Sequence, residues 1–538
     1  MPDRFAELAA ALDGVAGRKR RRAGPEHAEV TAATLDGWAA AAAPPAPPPS
    51  STAAPAPRLP DPWAPPPPHP PSRPAPALAP LPDRILCVLP EVALARALRA
   101  GELELGEGAA GPGASARTKL NGVANTRPGQ AWLQHRAGLL HRRSAVGPGS
   151  AQTLLCLGAH QLWLGRPADA LRTLSAAVER AETGAAAAEA RHELAKAERQ
   201  HRAAREQRRR ASTLPPPAAR LRALRTAVPV QRVEIGALSC AEFQARYART
   251  STPVILTGAG TAMSSKPWTL DWLREVAGST RVALKRPDPG SIAWAGLEDA
   301  EDTTVGAFID AVAAGSGGGP GASGTTRYLF DWSLPINAPE LAEALTIPKF
   351  FAGDLLQRTP PGTKYRDSWP SLFVAPEGAC SELHVDTFGS NFWMALFCGR
   401  KRWTFFDADA LAPLYPNYRH ATDPSFDVDL GDPDFEAFPL LETAQARTCE
   451  LRPGELLFVP HGCPHRVENL TASVAVSGNF IDGSNINAAL QELELAGLRD
   501  PEAARLHAAL SALPRGPTVS LELPHTPFAA FKQPLGPR

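Results

Sequence analysis

A histidine and an aspartate two residues apart, His384 and Asp386, are the residues best suited to chemistry in this sequence. In an extended strand such side chains project to the same face, so the imidazole and the carboxylate would share one cavity. His465 follows a Pro-His-Gly-Cys-Pro turn and opens an apolar strand, where it could supply a third ligand. Two histidines and one carboxylate leave coordination positions open, as at non-haem Fe(II) centres. The pattern predicts a metal site of His384, Asp386 and His465.

Two alternatives stay open at this point. His461 competes for the third position, but it lies inside the turn before Gly462, so we favour His465 and expect His461 to have an accessory or solvent-facing role. Zinc also accepts two histidines and one carboxylate, so a zinc hydrolase is a further interpretation. A single histidine on a strand is more often a hydrogen-bonded core or surface residue than a ligand, and the prediction therefore depends on the whole set.

The segments around these residues are typical of short strands. Asn391–Cys398 is a continuous apolar run, Gly399-Arg400 forms a turn, and Lys401–Phe406 resumes an extended pattern. Pro453-Gly454 favours a turn before another apolar run, and the segment from Ala472 to Phe480 alternates β-branched with small residues. Such strands, separated by Pro and Gly, predict a mainly β domain, either an antiparallel barrel or a jelly roll.

Four motifs taken together resemble a known family. The segments His-Val-Asp (384–386), Gly-Arg-Lys-Arg-Trp (399–403), Pro-Gly-Glu-Leu-Leu-Phe-Val-Pro-His-Gly-Cys-Pro-His (453–465) and Val-Ser-Gly-Asn-Phe (476–480) are similar to JmjC-domain, 2-oxoglutarate-dependent Fe(II) oxygenases. The nearest likeness is to the phosphatidylserine-receptor-like lysyl hydroxylases, and it extends over roughly 230–487. The resemblance implies a double-stranded β-helix, a cupin-like jelly roll with flanking helices. It also implies Fe(II), 2-oxoglutarate and O2, with hydroxylation of a protein side chain and release of succinate and CO2.

The resemblance assigns cosubstrate contacts to particular residues. Lys401 alternates with Trp403 and Phe405, which favours a buried ammonium, and such a group is costly unless a carboxylate meets it. The family's matching lysine binds the distal carboxylate of 2-oxoglutarate; the alternative is a surface lysine between Arg400 and Arg402. Ser477 matches a hydroxyl that shares this carboxylate. Further cosubstrate contacts are expected from Asn479, Tyr328 and Ser381.

One position departs from the family pattern. Met394 stands where the nearest relatives place an asparagine close to the cosubstrate, so the binding details could differ or Asn391 could compensate.

Three functional hypotheses follow. A hydroxylase acting on a lysyl or similar side chain is favoured, because no plant-homeodomain finger or Cys/His zinc cluster is visible in the sequence. The same chemistry on an N-methyl group would make the protein a lysine or arginine demethylase. A catalytically inactive scaffold is the third hypothesis. The acidic stretch Tyr415–Pro439 hints at a basic protein substrate, although a solvated loop explains it equally well.

Composition limits the partners and the compartment. The chain has 538 residues and a net charge of +1, which gives no global reason to expect nucleic-acid or membrane binding. Seven cysteines without a CxxC pair indicate a reducing compartment. No signal peptide or long apolar run is visible, so we expect a soluble, intracellular protein. The basic run Arg18–Arg22 favours the nucleus over the cytoplasm only weakly.

The chain divides into four predicted parts. Residues 1–82 are rich in Pro and Ala and are expected to form a disordered arm. Residues 83–226 have helical periodicity, with a hairpin of the tetratricopeptide type near 151–180. Residues 227–487 form the catalytic domain. Residues 488–538 are expected to contain a helix and a loose Pro-rich tail, and the helix could serve packing or a homodimer.

Overall fold

A computed structural model describes residues 86–104, 114–146, 149–288, 291–315, 326–514 and 522–532. The predicted arm at 1–82 and the basic run Arg18–Arg22 lie outside these residues. In the described parts of the chain, no helix combines the length and apolar character needed to cross a membrane. The helices are α1 (Pro90–Ala100), α2 (Ala116–Asn125), α3 (Arg127–Ala145), α4 (Ala151–Trp163), α5 (Pro167–Arg180), α6 (Ala185–Ala211), α7 (Cys240–Phe243), α8 (Ala259–Met263), α9 (Leu270–Ala277), α10 (Val305–Ala313), α11 (Leu334–Asn337), α12 (Pro339–Glu343), α13 (Ile486–Gly497), α14 (Pro501–Ser511) and α15 (Phe528–Phe531).

The first six helices precede the sheets. Helices α4 and α5 form a hairpin in the region where the periodicity predicted one. The hydroxyl of Ser150 caps α4 by accepting a hydrogen bond from the backbone of Thr153, and Pro167 occupies the first turn of α5. A Cβ at Gly158 would lie 2.5 Å from Cγ of Leu174, so the two helices approach each other too closely there for a larger residue.

Helix α6 carries many charged residues, which is typical of a solvated connector, but part of the helix is buried. Glu193 and Lys196 are buried, and the Lys196 Nζ lies 2.9 Å from Oε1 of Glu193. Arg499, from the segment between α13 and α14, donates to the same carboxylate at 2.6 Å. The amide of Gln207 donates to the carbonyl of Ala412 at 3.0 Å. Helix α6 therefore packs against the rest of the molecule, and its buried charges are paired.

Two sheets dominate the region after α6. One has the strand order β1-β14-β11-β16-β9 and the other β2-β3-β15-β10-β17-β8-β6; all neighbours are antiparallel except β1-β14 and β2-β3. This arrangement confirms the predicted cupin-like jelly roll. The strands are β1 (Val228–Pro229), β2 (Gln231–Glu234), β3 (Val254–Thr257), β4 (Arg281–Pro287), β5 (Leu297–Thr304), β6 (Leu329–Ser333), β7 (Thr346–Ile347), β8 (Ser371–Ala375), β9 (Cys380–His384), β10 (Asn391–Cys398), β11 (Lys401–Phe406), β12 (Pro416–Asn417), β13 (Ser425–Phe426), β14 (Ala446–Leu451), β15 (Leu456–Val459), β16 (His465–Asn469), β17 (Ser473–Phe480) and β18 (Thr526–Pro527).

Alternation along the strands produces two apolar layers. On β10, Phe392 and Met394 face the space between the two sheets, whereas Trp393 and Ala395 face the outer layer of helices. Because the larger sheet is covered on both faces, its strands read as continuous apolar runs instead of alternating ones. The inner layer, between the sheets, holds the side chains that surround the candidate site.

The C-terminal segment returns to the domain. Leu490 and Leu493 of α13 pack with Phe388 and with residues of α14, so these apolar faces are covered within the same chain. The prediction of a loose tail is wrong for residues 522–532, where β18 pairs with β7 and Phe528 is buried. Burial of that ring gives the segment a reason to order that its Pro-rich composition concealed.

Candidate metal centre

The two predicted histidine ligands face each other across a pair of strands. His384 is the last residue of β9 and His465 the first of β16; they are direct partners in the antiparallel register, with ring centroids 4.2 Å apart. Asp386 follows two residues after His384. One ligand atom from each of the three residues lies within 4.8 Å of the others, and all three side chains are buried. His461 is not part of this group.

Hydrogen bonds to the backbone orient both imidazoles. Nδ1 of His384 lies 2.6 Å from the carbonyl of Glu382, and Nδ1 of His465 lies 3.0 Å from that of Cys463. A neutral ring that donates through Nδ1–H keeps the lone pair on Nε2, as a metal ligand requires. Asn479 donates to Oδ2 of Asp386 at 3.3 Å, so this residue holds a ligand in addition to any contact with cosubstrate.

Burial shifts the pKa values of all three ligands toward their neutral forms. Desolvation lowers the pKa of His465 to about 4 and, with the neighbouring His465 ring, holds that of His384 well below its ordinary value. Desolvation raises the pKa of Asp386 to about 7, opposed by the hydrogen bond from Asn479. The histidines are thus ready to bind as neutral rings, and a divalent cation would stabilise the ionised carboxylate. The donor set fits Fe(II).

Lys401 is fully buried on β11, as its alternation with Trp403 predicted. Its Nζ donates to the hydroxyl of Tyr328 at 3.1 Å and to Oδ1 of Asn469 at 2.7 Å. Desolvation lowers its pKa to about 7. Among the described residues, no carboxylate forms an ion pair with this ammonium. A small dicarboxylate would provide the missing countercharge.

Ser477 offers a second unfilled contact. Its hydroxyl is buried and has no hydrogen-bond partner within the described chain, although such groups are normally satisfied. It lies on β17, where its cross-strand partners are Met394 and Ser371. A ligand oxygen in the inner layer would remove a penalty of roughly 1–3 kcal/mol.

The ligands line a cleft of about 310 Å3, a volume that includes space open to solvent. Tyr328 and Ser381, both predicted as cosubstrate contacts, line the cleft. Lys401 does not line it directly but donates a hydrogen bond to the hydroxyl of Tyr328. Met394 also lines the cleft. Asn391 does not compensate for Met394, because its amide donates to Ser484 and accepts from the backbone of His461. The cleft is lined by Trp294, Tyr328, Phe330, Phe373, Ser381, His384, Asp386, Phe392, Met394, Trp403, His465 and Val467.

Sequence reasoning missed two residues of this site. Asn469 pairs with Lys401 in the β11–β16 register and binds its ammonium; the four-residue spacing from His465 on one strand was a usable signal. Trp294 lies between β4 and β5, its indole N–H donates to the carbonyl of Val385 at 3.2 Å, and its ring meets that of His384 edge-on at 5.1 Å. No spacing in the sequence pointed to Trp294, because it approaches from a distant loop.

The N-terminal helices hold the segment that carries Trp294. The buried carboxylate of Glu298 accepts from the Thr118 hydroxyl at 2.6 Å, from the Ser115 backbone at 3.0 Å and from the Ser291 hydroxyl at 2.6 Å. Ser115 is the capping residue of α2, and an anionic group is stabilised at such a helix end. Glu298 therefore ties α2 to the rim of the cleft.

Comparison with known proteins places the same region in one domain class. Residues 240–485 match the model of the Cupin-like domain family. The chain is 29% identical over 260 residues to the Lysine-specific demethylase JMJ21 of Arabidopsis thaliana, covering 46% of this chain and 25% of that protein. It is 31% identical over 164 residues to the human 2-oxoglutarate and iron-dependent oxygenase JMJD4, covering 30% of this chain and 37% of the relative. It is 24% identical over 274 residues to the Bifunctional arginine demethylase and lysyl-hydroxylase psr-1 of Caenorhabditis elegans, covering 48% and 62%. The chain thus spans less than two thirds of each of these relatives.

Proposed function

We propose that this chain, whose residues 240–485 match the Cupin-like domain family, is a JmjC-type, Fe(II)- and 2-oxoglutarate-dependent oxygenase that hydroxylates a protein side chain. The observation that carries the proposal is a buried His-Asp-His group in the same inner layer as a buried lysine. Within the described residues that lysine lacks a carboxylate partner. A zinc hydrolase would leave Lys401 and the Ser477 hydroxyl without a purpose.

His384, Asp386 and His465 would hold the iron. Two neutral imidazoles and one carboxylate would fill part of the coordination shell and leave its other positions open. When bound, Fe(II) and 2-oxoglutarate supply the oxidising chemistry: one oxygen atom of O2 enters a C–H bond of the substrate, and the other appears in succinate as CO2 leaves. The carbonyls of Glu382 and Cys463 keep both rings in the metal-binding tautomer.

Lys401, Tyr328 and Ser477 would receive the far carboxylate of 2-oxoglutarate. The Tyr328 hydroxyl accepts from Lys401 Nζ and is also hydrogen-bonded with Asn469; we propose that it donates its own proton to a carboxylate oxygen of the cosubstrate. Ser477 would add its unsatisfied hydroxyl. The surrounding rings of Phe373, Phe392 and Trp403 exclude water, which strengthens the charged contact. Ser381 and Asn479 are proposed to contact the cosubstrate from the metal side.

The proposed substrate is a lysyl or similar side chain of a protein. Demethylation of an N-methyl lysine or arginine is the second candidate, because the same oxygen insertion on a methyl group releases formaldehyde. The names of the relatives include both activities. Exposed Asp432 of the acidic stretch supports a basic partner, as does exposed Asp427, although Asp427 also accepts a hydrogen bond from the side chain of Asn417 at 3.2 Å. Asp429 and Asp434 also accept backbone hydrogen bonds in their own turns, which is the role of a purely structural loop.

Location and assembly are part of the same proposal. Arg18–Arg22 supports a nuclear over a cytoplasmic location. A homodimer is proposed through the outward surfaces of α13 and α14, because their apolar faces are covered within the same chain.

Succinate production by the purified protein tests the proposal. The protein is incubated with Fe(II), 2-oxoglutarate and a panel of peptides bearing lysine, arginine and their methylated forms. Succinate is quantified, and the masses of the peptides are measured by mass spectrometry. Succinate together with a gain of one oxygen in a peptide supports hydroxylation, and loss of a methyl group with formaldehyde supports demethylation.

The matched control is His384→Ala, which removes a ligand. Succinate at equal rates from this variant, or no binding of Fe(II) and 2-oxoglutarate by the wild type, would favour the inactive scaffold.

A further inference from the structure

A β-bulge shapes the mouth of the cleft. On β6, Leu329 pairs with Val374 and Trp332 pairs with Leu372, so two residues of β6, Phe330 and Asp331, lie opposite the single residue between those partners on β8. Leu329 and Trp332 both contribute to the outer apolar layer, whereas Phe330 lines the cleft. Bulges of this kind redirect a side chain next to active sites.

Asp331 is the residue that the bulge inserts. Its φ of +52° lies in the left-handed region, which aspartate tolerates better than most residues. The residue is exposed, and no basic side chain in the described part of the chain forms an ion pair with it. The charge of Lys285 reaches Asp331, but the ion pair of that lysine is with Asp299, at 2.5 Å. Among the described residues, Asp331 is therefore a carboxylate without an ion-pair partner, next in the chain to the cleft residue Phe330.

The carboxylate of Asp331 lies within electrostatic reach of Asp386, one of the three proposed metal ligands. Desolvation raises its pKa to about 6; hydrogen bonds from Ser371 and Trp369 and the charge of Lys285 oppose the rise, and the charge of Asp386 adds to it. At pH 7.5 the carboxylate is ionised, because that pH lies above the pKa.

Aromatic rings line the same mouth. Trp294 is 41% exposed, and its ring centroid lies 5.4 Å from that of Phe330, the neighbour of Asp331. A cation is attracted both to the face of an indole ring and to a carboxylate, so the combination selects an ammonium or guanidinium over a neutral side chain of equal length.

We infer that Asp331, with Trp294 and Phe330, forms the subsite that receives the cationic end of the substrate side chain. This inference rests on the proposed function and adds the residue that makes the oxygenase select a charged substrate side chain. Asp331 binds the cationic group of that side chain, and the two aromatic rings cover the aliphatic part. The carbon to be oxidised is thereby directed toward the three metal ligands.

Binding of two matched probes tests the inference. The protein is loaded with Mn(II), which is inert toward O2 here, and 2-oxoglutarate at pH 7.5. Paramagnetic relaxation of the probe side-chain protons is then measured for Nα-acetyl-lysine N-methylamide and for its neutral norleucine analogue. The wild type is expected to bind the lysine probe roughly tenfold more tightly, and Asp331→Asn to lose that preference. Asp331→Glu is expected to retain part of it. Glu377→Gln, which neutralises an exposed carboxylate in the turn between β8 and β9, is expected to behave like the wild type.

Binding of Mn(II) tests the proposed function, and the preference for the lysine probe tests the role of Asp331. Mn(II) binding with equal affinities for the two probes, or an unchanged preference in Asp331→Asn, overturns the inference alone. Failure of the wild type to bind Mn(II), seen in the Mn(II) resonance spectrum before any probe is added, overturns the proposed function together with the inference.

Discussion

Replacing Lys401 by methionine should stabilise the protein in the absence of a dicarboxylate. The ordinary lysine pKa of 10.5 falls to about 7 in the folded chain because the ammonium is desolvated. At about 1.4 kcal/mol per pH unit, the difference corresponds to a penalty of about 5 kcal/mol when the group is charged in both states. Methionine fills a similar volume without the charge. The substitution also removes the hydrogen bonds to Tyr328 and Asn469, and each loss costs about 1 kcal/mol. The free energy of unfolding should therefore rise by roughly 3 kcal/mol.

The free energy of unfolding should also depend differently on pH in the wild type and in Lys401→Met. Between pH 7 and pH 10.5 the unfolded chain holds the Lys401 proton more tightly than the folded chain, so this residue makes stability rise with pH. Integrated from pH 7 to pH 9, the wild type should gain about 2 kcal/mol that Lys401→Met does not gain. The stabilising effect of the substitution should therefore be largest at or below pH 7 and should shrink toward pH 9.

Urea unfolding followed by tryptophan fluorescence at pH 6, 7 and 9 measures this difference, with exposed Lys266→Met as the control. The same samples with saturating 2-oxoglutarate and Mn(II) should reverse the order, because only the wild type gains the carboxylate contact. Equal stability of the wild type and Lys401→Met across the pH range would refute the assignment of Lys401 as an uncompensated buried cation. So would equal stabilisation of both proteins by the diacid.

Other substitutions test separate parts of the structure. His465→Ala should abolish the rise in melting temperature caused by Mn(II), whereas His461→Ala should keep it, because only the backbone of His461 is bonded near the site. Glu298→Gln should loosen the loop that carries Trp294: hydrogen exchange of 291–296 should accelerate roughly tenfold, as expected for losing charge-assisted bonds. Unchanged exchange would show that other contacts fix the loop. Gly158→Ala should destabilise the α4–α5 hairpin by about 1–3 kcal/mol in urea unfolding. Gly138→Ala in α3, where the nearest atom is a flexible arginine end at 3.8 Å, should be neutral or stabilising.

The parts of the site carried by strand periodicity were predictable from the sequence. The two-residue spacing of His384 and Asp386 and the alternation around Lys401 both depend on local geometry, and the structure shows the same-face arrangement that they imply. The pairing of His384 with His465 needed only the antiparallel register.

Contacts between distant segments were not predictable in this way. Trp294 reaches His384 from a loop, and Asp331 is redirected by a one-residue bulge that shifts the alternation of β6. The packing of α6 could not be predicted, because its charges are paired with residues such as Arg499, more than 300 positions along the chain. Pairing between segments this far apart leaves no periodic trace in the local sequence.

The metal centre is tested most directly by anaerobic addition of Fe(II) and 2-oxoglutarate to the purified protein. Chelation of Fe(II) by a 2-oxo acid produces a visible charge-transfer band. The band should appear only when both are present, should be lost in His384→Ala, and should need a higher 2-oxoglutarate concentration in Lys401→Met. A wild-type protein without the band, or a His384→Ala variant that keeps it, would contradict the assignment of His384, Asp386 and His465 as iron ligands.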